Sequence, residues 1–546
     1  MNNSKLKLIL LGEMNKKSGR RTACTVRGSG TRRGREFIRT TVHAAVRQTS
    51  ASVDITTKRN QFDGRGRPSY IKSQRVPAAW SGSNGLPGSA TKFSCLVLML
   101  GIVSIGFVCG QACLADELAI KAGKIITIAG DPVEDGVILI RDGRITAIGK
   151  DLEIPVDAKV IDATDRVIIP GFVDPHNSSG MSQPNERNTN VPFVSVVDSI
   201  DPTRDYFEEC RRNGVTTAAV VPGNSTMIGG QAAIVKTAGA YVDDMLLKRF
   251  AGIKLSLSPA FGTSRMSHFA RLRKELEKAR KSIEEKKEDS KDDQKKDKKK
   301  KKDESGDSDG KKKAASQQQS AAQAASARSQ EEALAALVKL LKQEYPAFIY
   351  CDTAMDVGQA FRLIDEYKLK AILIVGRNSY KAAAQLSKRK LPVVLDPTLV
   401  YWRTDPRTRQ DEKIVLPKIF RDAGVEFVFQ TRAIRPVSIF STSASSPPTL
   451  GSSYLWYQAA VAVKYGMPAG EALRRLTLEP AKLLGIDRFV GSIEVGKDAD
   501  LVILTGDPMK IDTWVDKTII NGKVVYEREK DRKLKRLLNP SVNDLD

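Results

Sequence analysis

One stretch, Val167–Gly180 (VIIPGFVDPHNSSG), limits what this chain can fold into more than any other. Its apolar residues read as a strand buried on both faces, the habit of strands in parallel sheets covered by helices. The run closes in a short polar loop, so Asp174, His176 and Ser178 are delivered at the carboxyl end of the strand. Parallel αβ barrels place their chemistry there. The chain has only three histidines in 546 residues, and this strand end presents one of them.

Segments of similar texture recur along the chain. Candidate barrel strands are Ile168–Asp174, Val215–Val221, Ala233–Thr237, Gly252–Leu257, Ala347–Cys351, Ala371–Val375, Leu391–Leu395 and Val425–Gln430. Helical spacing covers Asp356–Tyr367, Ser379–Lys388, Tyr454–Tyr465 and Gly470–Leu484. Strands alternating with helices imply parallel βαβ units, and eight strands are what a (β/α)8 TIM-like barrel needs. Shorter strands flank this α/β core at Leu118–Ile128, Gly136–Ile148 and Lys159–Ile169, and again at Gly491–Leu504 and Thr518–Glu527. Asp142-Gly143 and Asn521-Gly522 mark tight turns. The pattern predicts a barrel over 169–488 and a small β-sandwich built from both ends of the mature chain, 116–168 and 489–528.

The motifs resemble those of the amidohydrolase superfamily. Residues 171–178, GFVDPHNS, are similar to its first-strand signature, which ends in Asp-x-His-x-His. The run from Gly491, GSIEVGKDADLV, resembles its carboxyl-terminal signature, and Ala122–Thr127, AGKIIT, its opening. Pro222–Gly239 resembles the imidazolonepropionase-like branch. The likeness covers about residues 118–528 apart from one insertion. It implies a hydrolase acting on non-peptide carbon–nitrogen bonds, in which a metal-bound water attacks and an acidic residue moves the proton. It also implies ligands from two strand-one histidines, often a modified Lys or a Glu midway, a His after each of strands five and six, and an Asp after strand eight.

Only His176 matches a ligand position. Ser178 stands where the second histidine belongs. Cys351 and Asp352 follow strand five, Gly376 and Arg377 strand six, and Gln430 and Thr431 strand eight. A rebuilt metal set of Asp174, His176, Asp352 and Cys351 is one alternative. Lys236 and Lys254 read as packed or paired lysines, and His268 as a surface residue beside the insertion.

The net charge of +24 invites a nucleic-acid reading, but its distribution argues against one. Residues 1–92 hold 19 Lys and Arg against 4 Asp and Glu, and residues 271–313 hold 19 against 13, which leaves about +3 for the rest. A basic footprint belongs on a folded surface. Residues 1–92 lack periodicity and read as a disordered extension or a start assigned too far upstream. The apolar run Phe93–Cys109, followed by GQACLA, makes 93–115 a signal peptide and the protein exported, with membrane contact only if the signal stays uncleaved. Residues 271–332 read as a charged disordered insertion within the barrel. Cys210 and Cys351, the two cysteines beyond the signal, make no disulfide framework.

The expected site is therefore a barrel mouth with His176 as the single matched metal ligand. Asp174, Ser178, Asp352, Arg377, Thr431 and Arg432 form a polar ligand-binding set, and no catalytic residue is assigned. Zinc or another divalent metal is expected only if the family chemistry survives, and otherwise no cofactor. Arg377 and Arg432 stand where the family keeps a histidine and an aspartate, which suits a small anionic ligand such as a carboxylate. Two functions stay open: a carbon–nitrogen hydrolase with a degenerate metal site, or a catalytically inactive exported barrel, a pseudoenzyme, that binds a small anionic ligand or a protein partner.

Overall fold

The computed structural model describes residues 41–44, 53–56, 117–259, 262–296, 316–431, 454–510 and 512–538. The apolar run 93–109, read above as a signal, lies outside them. In the amino-terminal unit, residues 1–110, the described part is an antiparallel hairpin of Thr41–Ala44 and Val53–Thr56. The second unit, 111–546, carries everything that follows.

Eight strands line up in chain order in one sheet: Phe172–Asn177, Val215–Val220, Ile228–Lys236, Leu246–Ser256, Ala347–Thr353, Ala371–Asn378, Val393–Val394 and Phe427–Val428, numbered here one to eight. Strand one pairs parallel with strand two, and strands four to eight pair parallel in succession. Strand three breaks the rule. It pairs antiparallel with both strand two and strand four, so the sheet is mixed where eight parallel strands are expected. Six-residue strand two and the first residues of strand three leave only Val221–Met227 between them, too short for the helical crossover that a parallel pair requires. Among the described residues no backbone ladder joins strands one and eight. Their carboxyl ends meet through side chains instead.

Period-two alternation sorts the strand residues into two cores. Ile253, Leu255, Ile349, Leu373 and Val393 face the helices, while Val173, Ala219, Phe348, Ile372, Ile374, Val394 and Val428 pack together on the other face. The TIM-barrel-like α/β character thus follows from strands that are apolar on both faces.

Both chain ends meet in one seven-stranded sheet, which takes the place of the two packed sheets of a sandwich. Its order is Lys523–Glu527, Val515–Ile520, Leu501–Leu504, Lys159–Pro170, Glu117–Ile125, Val133–Arg141, Arg144–Gly149. Asp142-Gly143 and Asn521-Gly522 turn its hairpins with positive φ at both residues, as their sequences predict. Gly171 carries the chain from this sheet into strand one. A Cβ there would lie 2.1 Å from the Thr216 hydroxyl, so only glycine fits.

The stretch expected as a charged insertion, 271–332, is helical at both ends. Arg265–Lys296 and Ser316–Leu341 are helices, and residues 297–315 lie outside the described residues. Leu272, Leu276 and Ala279 fall on one face at helical spacing and are fully buried, as are Leu337 and Leu340. Burial of each leucine is worth about 2 kcal/mol, enough to hold the helix against the core despite its charged outer face. The charge count there describes only the solvent side.

Candidate functional site

Strand one is buried along its whole length and brings Asp174 and His176 to its carboxyl end. Asp174 is a knot rather than a free acid. One of its carboxylate oxygens, Oδ1, accepts from the Thr431 backbone N–H at 3.3 Å; Oδ2 accepts from Asn177 Nδ2 at 3.2 Å, from the Tyr206 hydroxyl at 3.4 Å and from the Thr431 hydroxyl. Burial lifts its pKa to about 6 despite the pull of these donors. The knot ties strand one to the residues just past strand eight.

The tautomer of His176 can be read from its surroundings. Gln430 donates through Nε2 to the Leu395 carbonyl at 2.7 Å, so its Oε1 is the atom that faces His176 Nδ1 at 2.6 Å. Nδ1 therefore carries the proton, and Nε2 is left as an acceptor. Lys254 Nζ donates to that Nε2 at 2.9 Å and also to Asn224 Oδ1 at 2.6 Å. Burial, and then the neighbouring Lys254 charge, push the imidazole well below its ordinary pKa, so it is neutral. Burial also draws Lys254 down to about 7. Tyr350 lies beneath, with its ring centroid 5.6 Å from Nζ.

Lys254 and Ser256 point to the same face of strand four as His176 does on strand one, because Ile253, Leu255 and Leu257 take the opposite face. Lys254 is packed, as its sequence position suggests, but its partners are His176 and Asn224 and not a carboxylate. Lys236 is ion-paired: it bonds Asp498 at 2.9 Å and Asp500 at 2.7 Å. Strand three runs backwards, so its last residue lies away from the mouth and reaches the composite sheet. His268 is buried, not a surface residue, and its Nε2 lies 2.8 Å from the Ser256 carbonyl.

The remaining predicted residues divide. Thr431 joins the Asp174 knot. Ser178 is half-buried just beyond it. Asp352 is half-buried, and its Oδ1 accepts from the Tyr350 hydroxyl at 3.1 Å. A capping box of Thr353 and Asp356 starts the next helix and fixes the exit of strand five. Arg377 is exposed, with its guanidinium 5.7 Å from the Tyr401 ring centroid, and makes no ion pair with Asp352 among the described residues. Arg432 lies outside the described residues. Cys210 and Cys351 are free and buried, and burial raises both thiols far above their ordinary pKa. Gln430 and Lys254 were not in the predicted ligand-binding set. The signal for Lys254 is a lone charged residue in the largely apolar run Gly252–Leu257.

A divalent metal does not fit these residues. The one histidine of the site spends its acceptor nitrogen on Lys254, and a cation placed there would meet an amine or ammonium at hydrogen-bond distance. No three His, Cys, Asp or Glu side chains converge among the described residues.

The amidohydrolase family model matches residues 167–525, and the chain belongs to that family. Amidohydrolase tasK of Hapsidospora irregularis is 22% identical over 70% of this chain, which spans 39% of that protein's length. An imidazolonepropionase of Symbiobacterium thermophilum is 40% identical over 11% of this chain and 18% of its own. An amidohydrolase structure from Thermotoga maritima superposes with a TM-score of 0.59 at 24% identity, over 75% of this chain and all of that one, and shares the fold.

Proposed function

We propose that this protein engages a small carbonyl compound carrying a carbon–nitrogen bond at the carboxyl ends of its barrel strands, with Lys254 in place of a metal ion. Family membership supports the class, hydrolysis of non-peptide carbon–nitrogen bonds. One observation carries the metal-free version: the single acceptor nitrogen of His176 is held by Lys254 Nζ at 2.9 Å. A protonated Lys254 has a third N–H to offer a substrate oxygen, a positive charge aimed where negative charge develops on a carbonyl.

Metal analysis of the purified chain tests this reading. Zinc, manganese and cobalt far below one equivalent after dialysis against a mild chelator are expected, and His176→Ala leaves the content unchanged. A stoichiometric metal that disappears with His176→Ala would overturn it.

A second reading is favoured by the Asp174 knot. Every hydrogen bond that carboxylate can readily accept is already made, so no free general base stands beside His176. In this reading the exported barrel is catalytically inactive and binds a small anionic ligand or a partner, with the exposed Arg377 as one anion contact. Turnover on a panel of cyclic and acyclic amides separates the two. A thermal-shift screen of carboxylates against wild type and Arg377→Ala tests the anion contact, and equal shifts in both proteins exclude it.

A further inference from the structure

We propose a second ligand site away from the mouth: an aromatic cleft between the first barrel helix and the composite sheet, which takes a flat apolar molecule carrying one carboxylate, with Arg528 as the anchor. The inference is independent of any reading of His176 or Lys254.

The cleft holds about 580 Å³, within the range of small-molecule sites. It touches strand one at Phe172, the strand's first residue, whereas His176 stands near the other end. Helices Asp205–Arg212, Leu455–Lys464 and Arg532–Leu538 wall it, together with the last two strands of the composite sheet. Six rings line it: Phe172, Tyr454, Trp456, Tyr457, Trp514 and Tyr526. Trp456 meets Tyr457 edge to face with centroids 6.4 Å apart and lies tilted at 6.4 Å from Tyr454, so a flat guest finds both faces and edges to pack on. Tyr457 is 45% and Trp514 50% exposed, so the cleft opens to solvent. Exposed apolar side chains gathered around one concavity, with a charged rim, mark a binding groove.

The rim narrows the class of ligand. Three cations of the cleft, Arg212, Arg528 and Lys533, face two carboxylates, Glu209 and Asp531. Arg212 is fully engaged: it bonds Asp531 at 2.6 Å, Glu208 at 2.9 Å and Glu209. Lys533 bonds Glu208 at 3.1 Å. Asp531 accepts in addition from the Tyr526 hydroxyl at 3.0 Å. Arg528 stands apart. It is half-buried, and among the described residues no carboxylate lies within ion-pair distance of it, since the adjacent Glu527 is taken by Lys530 at 2.8 Å and Lys517 at 3.7 Å. Its guanidinium lies over the Trp514 ring, 4.5 Å from the centroid. A cation placed by that contact keeps its N–H donors for a second partner, and the guanidinium fork fits the two oxygens of a carboxylate. One carboxylate on a flat apolar body therefore matches both the uncommitted cation and the aromatic walls. A neutral guest would leave Arg528 without an anion, and a dianion would bring a charge that nothing in the cleft balances.

Isothermal titration calorimetry of the full chain with 2-naphthoate, and with uncharged 2-naphthamide, tests the site. We expect saturable binding of one naphthoate, about tenfold or more tighter than naphthamide. Arg528→Gln should lose that margin and still bind naphthamide as the wild type does, which also shows that the variant is folded. Arg528→Lys, with the charge but not the fork, should keep part of the margin. Trp514→Ala should weaken both probes, and Arg377→Ala neither, which separates this cleft from the anion contact at the mouth. A wild type that does not bind naphthoate, or does not prefer it to naphthamide, overturns the proposal without reference to any variant. A preference that survives Arg528→Gln, or that disappears with Arg377→Ala, overturns it as well.

Discussion

Replacing Lys254 with methionine gives a quantitative check on the centre of the site. The folded-state pKa of this lysine is pulled down from 10.5 to about 7. A depressed pKa means that the folded protein binds the proton more weakly than the unfolded chain does. Full stability from this group is therefore present above 10.5 and is lost as pH falls toward 7. At 1.36 kcal/mol per unit, the shift amounts to about 5 kcal/mol below pH 7, with no discount for solvent because the side chain is fully buried. Methionine keeps the packing volume but leaves His176 Nε2 and Asn224 Oδ1 without their donor, at about 1–3 kcal/mol each. The two effects nearly cancel at pH 7, so the net change there decides little. The pH dependence decides. Between pH 7 and 9 the wild type should gain about 2 kcal/mol relative to Lys254→Met, which has no proton to lose. Paired urea titrations at the two pH values measure this, and contributions from other titrating groups cancel in the difference. Parallel pH slopes for the two proteins would mean that Lys254 keeps its charge when folded, which would refute the depressed pKa.

Thr431→Val should cost about 1–3 kcal/mol by taking a hydroxyl donor from buried Asp174. Asp174 has its folded pKa raised to about 6, so stability from its bound proton is present below the ordinary aspartate value of 3.8 and lost as pH rises through 6. The variant's deficit should therefore be larger at pH 7.5 than at pH 5, as read by urea midpoints. Gly171→Ala drives a methyl group to 2.1 Å from the Thr216 hydroxyl, and a loss of about 3 kcal/mol or failure to fold is expected, partly restored by Thr216→Ala. An alanine tolerated at Gly171 in the presence of Thr216 would contradict the close approach.

The sequence reached the strands more easily than their directions. Apolar runs placed all eight strands of the sheet near their observed positions because burial on both faces leaves a compositional mark. That same mark is blind to direction, since a strand buried on both faces looks alike whichever way it runs, and strand three was missed as antiparallel for that reason. Its two consecutive glycines, Gly229 and Gly230, were the available hint. Without Cβ atoms, they let the chain pass within contact of Lys254 and of Val194. In the insertion, Leu272, Leu276 and Ala279 carried a helical stripe that the surrounding charge obscured. Asp174 and His176 were legible because a motif carries them, and Thr431 because it follows a strand end. Lys254 reads from sequence as packed or paired, and the absence of a carboxylate partner among the described residues shows only in the fold.

That absence clarifies what the polar residues do in a barrel without a metal fit. Metal ligands drawn from several strands would tie a barrel mouth together. Here hydrogen bonds make the same connections. Gln430, after strand eight, bonds the Leu395 carbonyl after strand seven and His176 on strand one. His176 bonds Lys254 on strand four, which reaches Asn224 in the loop after strand two. Asp174 closes the gap between strands one and eight through Thr431 and Asn177. Each tie is directional and depends on one tautomer, so the chain of bonds propagates from the Leu395 carbonyl to the Lys254 amine with no freedom to invert.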